Sequence, residues 1–257
     1  MYEKNENDVK EYKIEGRNPV AEAIRSGREI DKIFIKKGNL EGSIIPIIKK
    51  AKEKGIVISE VEGRKLDSMS ETGSHQGIIA YVAAVGYCTI DEILKTAEEK
   101  NEPPFVIICD KISDPRNLGS VIRTANCAGV HGIIIPKRGG AGLGAAAAKA
   151  AAGAEEYTKL CKVTNIARTV DELKEKGLWI AGADFGGTPM YSADLTGALG
   201  IVIGSEGFGI SRLVREKCDF SVTIPMFGEI SSLNASVAAA LLMYEAVRQR
   251  RPDIYIK

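Results

Sequence analysis

A chain of 257 residues, 44% hydrophobic and 27% charged, is long enough to bury a sizeable core and to form one larger domain together with a smaller one. Its formal net charge of +1 gives no global attraction to nucleic acid, so any RNA contact must come from local basic patches. The five cysteines form no CxxC pair and no ligand cluster, which argues against a metal site and for reduced thiols in a cytoplasmic setting.

Residues 1–10 are polar and lack an apolar centre, so a disordered tail is expected there and not a signal peptide. From residue 12 to 84 short helical and extended patterns alternate. Helices are expected at 19–26, 43–54 and 64–70, and strands at 32–36, 56–61 and 77–84. These make a compact αβ module, bounded at 11–85. Residues 86–104, a charged amphipathic stretch closed by Pro103-Pro104, read as a semi-rigid linker.

Beyond it, at 105–257, the period lengthens. Strands are expected near Phe105–Cys109, 132–135, 157–162, 178–182, Leu199–Ile203 and 220–224, with helices between them and a last one at 234–250. Apolar runs without polar alternation indicate strands covered on both faces, hence an α/β fold with a mostly parallel sheet. The Ala-rich segment 144–154 reads as a helix suited to close packing on a sheet. The final helix carries Val237, Leu241, Leu242, Met243, Tyr244 and Val247, apolar around much of its circumference. It is expected to be covered on more than one side, within the domain or by a second subunit. The longest uncharged stretch near the C-terminus, 230–244, falls short of the roughly 20 apolar residues of a membrane span, so no membrane role is expected.

Three segments carry candidate chemistry. Asp114-Pro115 suits a helix start, which puts Asn117 in the opening turn and Arg123 about 9 Å further along the axis. Gly204-Ser205-Glu206-Gly207-Phe208-Gly209 follows an apolar run, and Ile224-Pro225-Met226 leads to Ser232-Leu233-Asn234-Ala235-Ser236. Loops at the carboxyl ends of parallel strands lie together and can wall one crevice, and glycine lets backbone approach a small ligand closely. Ser232 and Ser236 share a helix face by their spacing, with Asn234 placed to cap the helix. A G-x-x-G-x-G run after a late strand is not the G-x-G-x-x-G that follows the first strand of a dinucleotide site, which argues against a nicotinamide-dependent oxidoreductase.

Asn117-Leu118-Gly119-Ser120-Val121-Ile122-Arg123, the glycine-rich run and the last segment, in that order, resemble the three motifs of the SpoU family of S-adenosylmethionine-dependent RNA ribose 2'-O-methyltransferases. The resemblance implies a Rossmann-like, mostly parallel sheet with a C-terminal trefoil knot, a homodimer, S-adenosylmethionine as cofactor, RNA as substrate and no metal. It places Asn117, Arg123, Glu206, Ser232, Asn234 and Ser236 in the active site. Ala183, Gly204, Gly209, Ile224, Met226 and Leu233 would surround the cofactor, with the loop 183–188 closing the pocket. The first module, with Gly16-Arg17-Asn18 and His75-Gln76-Gly77, resembles the L30-like substrate-binding domain of one branch of the family. That implies RNA contacts from Arg17, His75 and Gln76, and from Arg116 in the second domain; Arg25, Arg28, Lys36, Lys37, Lys111, Lys137 and Arg138 are further candidates. A guanidinium with a pKa above 12 is a poor base, so Arg123 is expected to stabilise the developing alkoxide and to anchor phosphate. Within the family the chain looks most like the branch that methylates a guanosine of 23S rRNA. A tRNA target, or RNA binding without catalysis, is the alternative.

Overall fold

In a computed structural model, residues 12–38 and 42–252 are described, so the expected tail at 1–10 lies outside them. The chain packs as two units. One runs from the first described residue to Gly86 and adds Leu143–Tyr157; the other comprises Tyr87–Gly142 and the described residues from Thr158 onward.

The first unit begins with β1 (Tyr12–Glu15), a strand too short and too polar to stand out in the sequence, then α1 (Arg17–Ser26), β2 (Ile30–Lys36), α2 (Ile44–Glu53), β3 (Val57–Val61), α3 (Gly63–Met69) and β4 (Ile78–Val82). The sheet order is β1-β4-β2-β3, with β4 antiparallel to both neighbours and β2 parallel to β3. A parallel pair needs a crossover, which α2 supplies. Gly16, at φ 100, turns the chain into α1, and Gly27, at φ 80, ends that helix in the left-handed conformation glycine tolerates. Ile14, Val20, Ile24, Ile33, Ile35, Ile44 and Ile78 fill the core, each fully buried aliphatic side chain stabilising it by about 1.5–3 kcal/mol. A later helix, α6 (Ala145–Ala151), belongs here and not with the second domain: Ala148 is fully buried in this same core. After it the chain turns over α1 so closely that any side chain at Gly153 would strike Glu22. Glu155, in the following 3-10 turn, is buried with neither carboxylate oxygen hydrogen-bonded, and burial pushes its carboxyl up to about 7.

The second unit holds α4 (Ile90–Glu99), β5 (Phe105–Cys109), α5 (Pro115–Cys127), β6 (Gly132–Pro136), β7 (Leu160–Val163), α7 (Ile166–Glu175), β8 (Trp179–Pro189), β9 (Leu199–Ile203), α8 (Arg212–Lys217), β10 (Phe220–Thr223) and α9 (Ala235–Arg250). Six parallel strands lie in the order β10-β8-β9-β5-β6-β7. The chain therefore builds outward from β5 in one direction and returns to build on its other side. That leaves a topological switch point between β5 and β9, where ligands of open α/β sheets bind at the carboxyl ends.

Two segments carry more structure than the sequence-based expectation. Within residues 86–104, expected as a semi-rigid linker with an amphipathic segment, Thr89 and Glu92 form a reciprocal capping box for α4, whose Ile90 and Ile93 join the core of the second unit. Ile93 sits so close to β6 that a Cβ on Gly132 would meet it at 2.5 Å. The expected strand 178–182 continues to Pro189 through a wide bulge. Phe220 and Ser221 pair with Ala181 and Gly182, whereas Val222 and Thr223 pair with Thr188 and Pro189. Residues 183–187 are thus extruded, and Gly187 is needed where they pass the Ser221 carbonyl, 2.5 Å from where a Cβ would lie.

Helix α9 buries Ala235, Ala239, Leu242, Met243 and Ala246, and packs against α5 and β9. Val237, Leu241 and Tyr244, one face by their spacing, stay 45%, 39% and 45% exposed. No helix among the described residues is long and apolar enough to cross a membrane.

Candidate active site

A cavity of about 390 Å³ opens at the carboxyl ends of β8, β9 and β10, within the range of small-molecule sites. Three stretches wall most of it: the start of the bulge within β8, residues 203–209 at the end of β9 and beyond, and Val222, Thr223, Ile224 and Met226 with Ser231, Ser232, Leu233 and Ala235 around β10 and the start of α9. Local chemistry explains each. The 204–209 loop is tight because Ser205 and Gly209 exchange two backbone hydrogen bonds of 3.0 and 2.9 Å. Gly207 and Gly209 take φ of 82° and 63°, and Gly204 has no room for a Cβ against the Gly209 carbonyl. Asn234 caps α9, its Oδ1 accepting from Ser236 N at 2.9 Å and from Ser236 Oγ at 2.6 Å.

Beside the cavity, three side chains from three elements meet. Glu206 Oε1 accepts from Asn117 Nδ2 at 2.8 Å and from Asn234 Nδ2 at 2.6 Å, and Asn234 Nδ2 also lies 3.0 Å from Asn117 Oδ1. Asn117 is buried in the first turn of α5, where Asp114 caps the helix through Arg116 N at 2.8 Å. Bonds to an ionised acceptor are short and strong, so the carboxylate fixes both amides and is itself held at the cavity wall.

All six residues expected around a cofactor, Ala183, Gly204, Gly209, Ile224, Met226 and Leu233, line this one cavity. Glu206 and Ser232 also line it, and Asn117, Asn234 and Ser236 form the polar cluster just described. Arg123 is different. It is exposed on α5, does not line the cavity, and its side chain makes no ion pair or hydrogen bond among the described residues. Arg116 is exposed and lies 3.6 Å from Asp114, so neither arginine pairs with Glu206.

In the first unit, Arg17, His75 and Gln76 come together from 59 residues apart in sequence. Arg17 N donates to Gln76 Oε1 at 3.0 Å, Arg17 Nε to Gln76 O at 3.3 Å, and Gly77 N to His75 Nδ1 at 3.0 Å. His75 Nε2 lies 3.0 Å from Asp67 Oδ1. Arg28 is not an available surface cation: its side chain is buried, donating to Glu156 at 2.7 Å and to the Ala83 carbonyl at 2.8 Å. Arg25 pairs with Glu22 at 2.6 Å.

Sequence reasoning missed two features. Arg215 enters the cavity from α8 and pairs with Asp184 at 2.6 Å. Asp110, just past β5, is buried and bonded to Ser211 N at 2.6 Å. Both depend on pairings across the sheet that no local spacing signals.

A parallel α/β sheet whose cavity lies beside its switch point and is framed by a glycine-rich loop and a capped C-terminal helix defines a class of small-ligand-binding α/β proteins. Comparison with known proteins narrows it. Residues 104–244 match the SpoU rRNA Methylase family, and residues 13–88 match the RNA 2'-O ribose methyltransferase substrate binding family. YacO of Bacillus subtilis (strain 168), whose name places it among TrmH family tRNA/rRNA methyltransferases, is 48% identical over 238 residues, covering 92% of this chain and 95% of its own. Among solved structures, the SpoU methyltransferase AviRb of Streptomyces viridochromogenes, in complex with AdoMet, superposes with a TM-score of 0.79 at 24% identity, over 96% of this chain and 94% of that one. A structure described as an RNA 2'-O ribose methyltransferase gives 0.79 at 23% identity, over 95% and 90%. The chain belongs to the SpoU methylase family.

Proposed function

We propose that this protein transfers a methyl group from S-adenosylmethionine to a ribose 2'-OH of structured RNA in the cytoplasm, with a guanosine of 23S rRNA as the favoured target and tRNA as the alternative. The observation that carries the reading is that the second and third motifs line one cavity while the first is tied to it through Glu206, a lining residue whose carboxylate holds Asn117 and Asn234 beside the cavity. The donor set fits the cofactor: backbone around 204–209 and 224–226 suits adenine and ribose, and Glu206 supplies negative charge toward a sulfonium, while Arg215, paired with Asp184, is available to a carboxylate. When bound, S-adenosylmethionine supplies the activated methyl group.

This chain's own residues do the rest. The amides of Asn117 and Asn234, locked by Glu206, orient the ribose. Ser232, at the cavity, and Ser236, at the helix cap, extend that polar wall. Arg123, free of ion pairs among the described residues, is available to a phosphate and to the developing alkoxide, with the proton passing to phosphate or water. Arg17, His75, Gln76 and Arg116 contact the RNA, and the 2'-OH explains a preference for RNA over DNA.

Two chains associate through the exposed Val237, Leu241 and Tyr244 face of α9, which a second copy would cover. The trefoil knot of the C-terminal segment is part of the same reading, supported by the match of residues 104–244 to the SpoU rRNA Methylase family. Incubation with tritiated S-adenosylmethionine and ribosomal or transfer RNA, followed by nucleoside analysis, tests the function. A labelled 2'-O-methylnucleoside supports it, and label on a base or no label refutes it.

A further inference from the structure

Asp110 follows β5 directly and is 3% exposed, yet it belongs neither to the three motifs nor to the polar cluster. Its contacts hold one loop at both ends. The Asp110 N–H donates to the Ile203 carbonyl at 2.8 Å, where the chain leaves β9. Its Oδ2 accepts the Ser211 N–H at 2.6 Å, where the chain turns into α8. Between these anchors Ser205 and Gly209 close the loop on itself, and the loop presents Glu206 to Asn117 and Asn234. Burying a carboxylate is costly unless it is hydrogen-bonded, and a bond to a charged acceptor is roughly twice as strong as a neutral one.

We infer that Asp110 is a positioning residue whose carboxylate clamps the Ser211 end of the 204–211 loop, the other end being held by the main-chain bond that continues the β5–β9 ladder, so that the methyl-donor cavity and the Glu206 carboxylate are in place before any ligand arrives. This rests on the reading of the cavity given above. The physical gain is preorganisation: a loop already ordered does not spend binding energy on being ordered.

The test uses the full-length protein and two readouts other than turnover. Hydrogen exchange on the ligand-free protein should show the 204–211 amides of Asp110→Ala opening about tenfold faster, with β5 and β9 unchanged. Calorimetry with S-adenosylhomocysteine should show affinity weakened about tenfold. Asp110→Asn, which keeps an accepting oxygen without the charge, should recover most of both. Ser211→Pro removes the same hydrogen bond from the donor side, at a φ of −61° that proline adopts, and should match Asp110→Ala. The double variant should be no worse than either single one.

Wild-type loop exchange and affinity in Asp110→Ala would overturn the inference. So would exchange accelerated uniformly across the sheet, which would mark a merely structural residue. If Asp110→Ala does not fold, Asp110→Asn and Ser211→Pro decide on the same criteria. A wild-type protein that binds no S-adenosylhomocysteine, in a case where Asp110→Ala still loosens the loop alone, would uphold the clamp and refute the cofactor reading of the cavity.

Discussion

Replacing Gly204 by alanine places a methyl group where the structure has backbone. The new Cβ would overlap the Gly209 carbonyl group and the Ile210 nitrogen, neither of which can swing aside as the end of a flexible side chain could. Inserting one carbon into a filled site costs about 1–3 kcal/mol. The surrounding β9 strand is held by ladders on both sides, so the strain should fall on the loop. Expressed wholly in the ligand-ready conformation, that cost corresponds to a Kd weakened about 5- to 150-fold. Titration calorimetry with S-adenosylhomocysteine reads it directly, with a thermal melt alongside to show the domain still folded. Gly228→Ala is the control: a Cβ there meets nothing within 4 Å, and affinity should be unchanged. Binding by Gly204→Ala within twofold of wild type would refute the claim that this loop shapes the donor site.

Arg123→Ala should lower the rate of methyl transfer about 10²–10³-fold while leaving S-adenosylhomocysteine binding intact, because Arg123 lies outside the cavity; retained turnover in a single-turnover assay would remove it from the mechanism. Leu241→Glu, on the exposed face of α9, should convert a dimer to a monomer in sedimentation velocity, and a wild-type monomer at micromolar concentration would show that face to be uncovered. Glu155→Gln should change the pH dependence of stability. Burial holds the Glu155 carboxyl at about 7, above its ordinary 4.5, so the folded form binds the extra proton and stability falls as pH rises from about 4.5 to about 7. The variant lacks that loss and should gain up to about 3 kcal/mol on wild type at pH 8, and far less at pH 5. Equal melting curves at both pH values would mean that the carboxylate is solvated.

The strands of the second unit were legible because β5, β6 and β9 are unbroken apolar runs, and buried parallel strands must be so. The strand β1 was not: Tyr12-Lys13-Ile14-Glu15 is short, and its buried Glu15 is satisfied by Ser70 and by the backbone of Glu71 and Thr72, partners more than fifty residues away. The alanine-rich α6 was read correctly as a helix, but alanine fits against almost any surface, so composition could not say which unit it packs in. Ala183 lines the cavity, but the bulge that delivers it was invisible in the sequence, since bulges are set by pairing with a neighbouring strand. Motif order brought Asn117, Glu206 and Asn234 to notice. Their hydrogen bonds to one another, the Asp184–Arg215 pair and the Asp110 anchor are long-range facts that only the folded chain displays.

A crystal grown with S-adenosylhomocysteine tests the account most directly. The ligand should occupy the cavity between residues 204–209, 224–226 and 233, with its sulfur facing the Asn117–Glu206–Asn234 cluster. Ligand density anywhere else on the protein, with that cavity filled only by solvent, would contradict it.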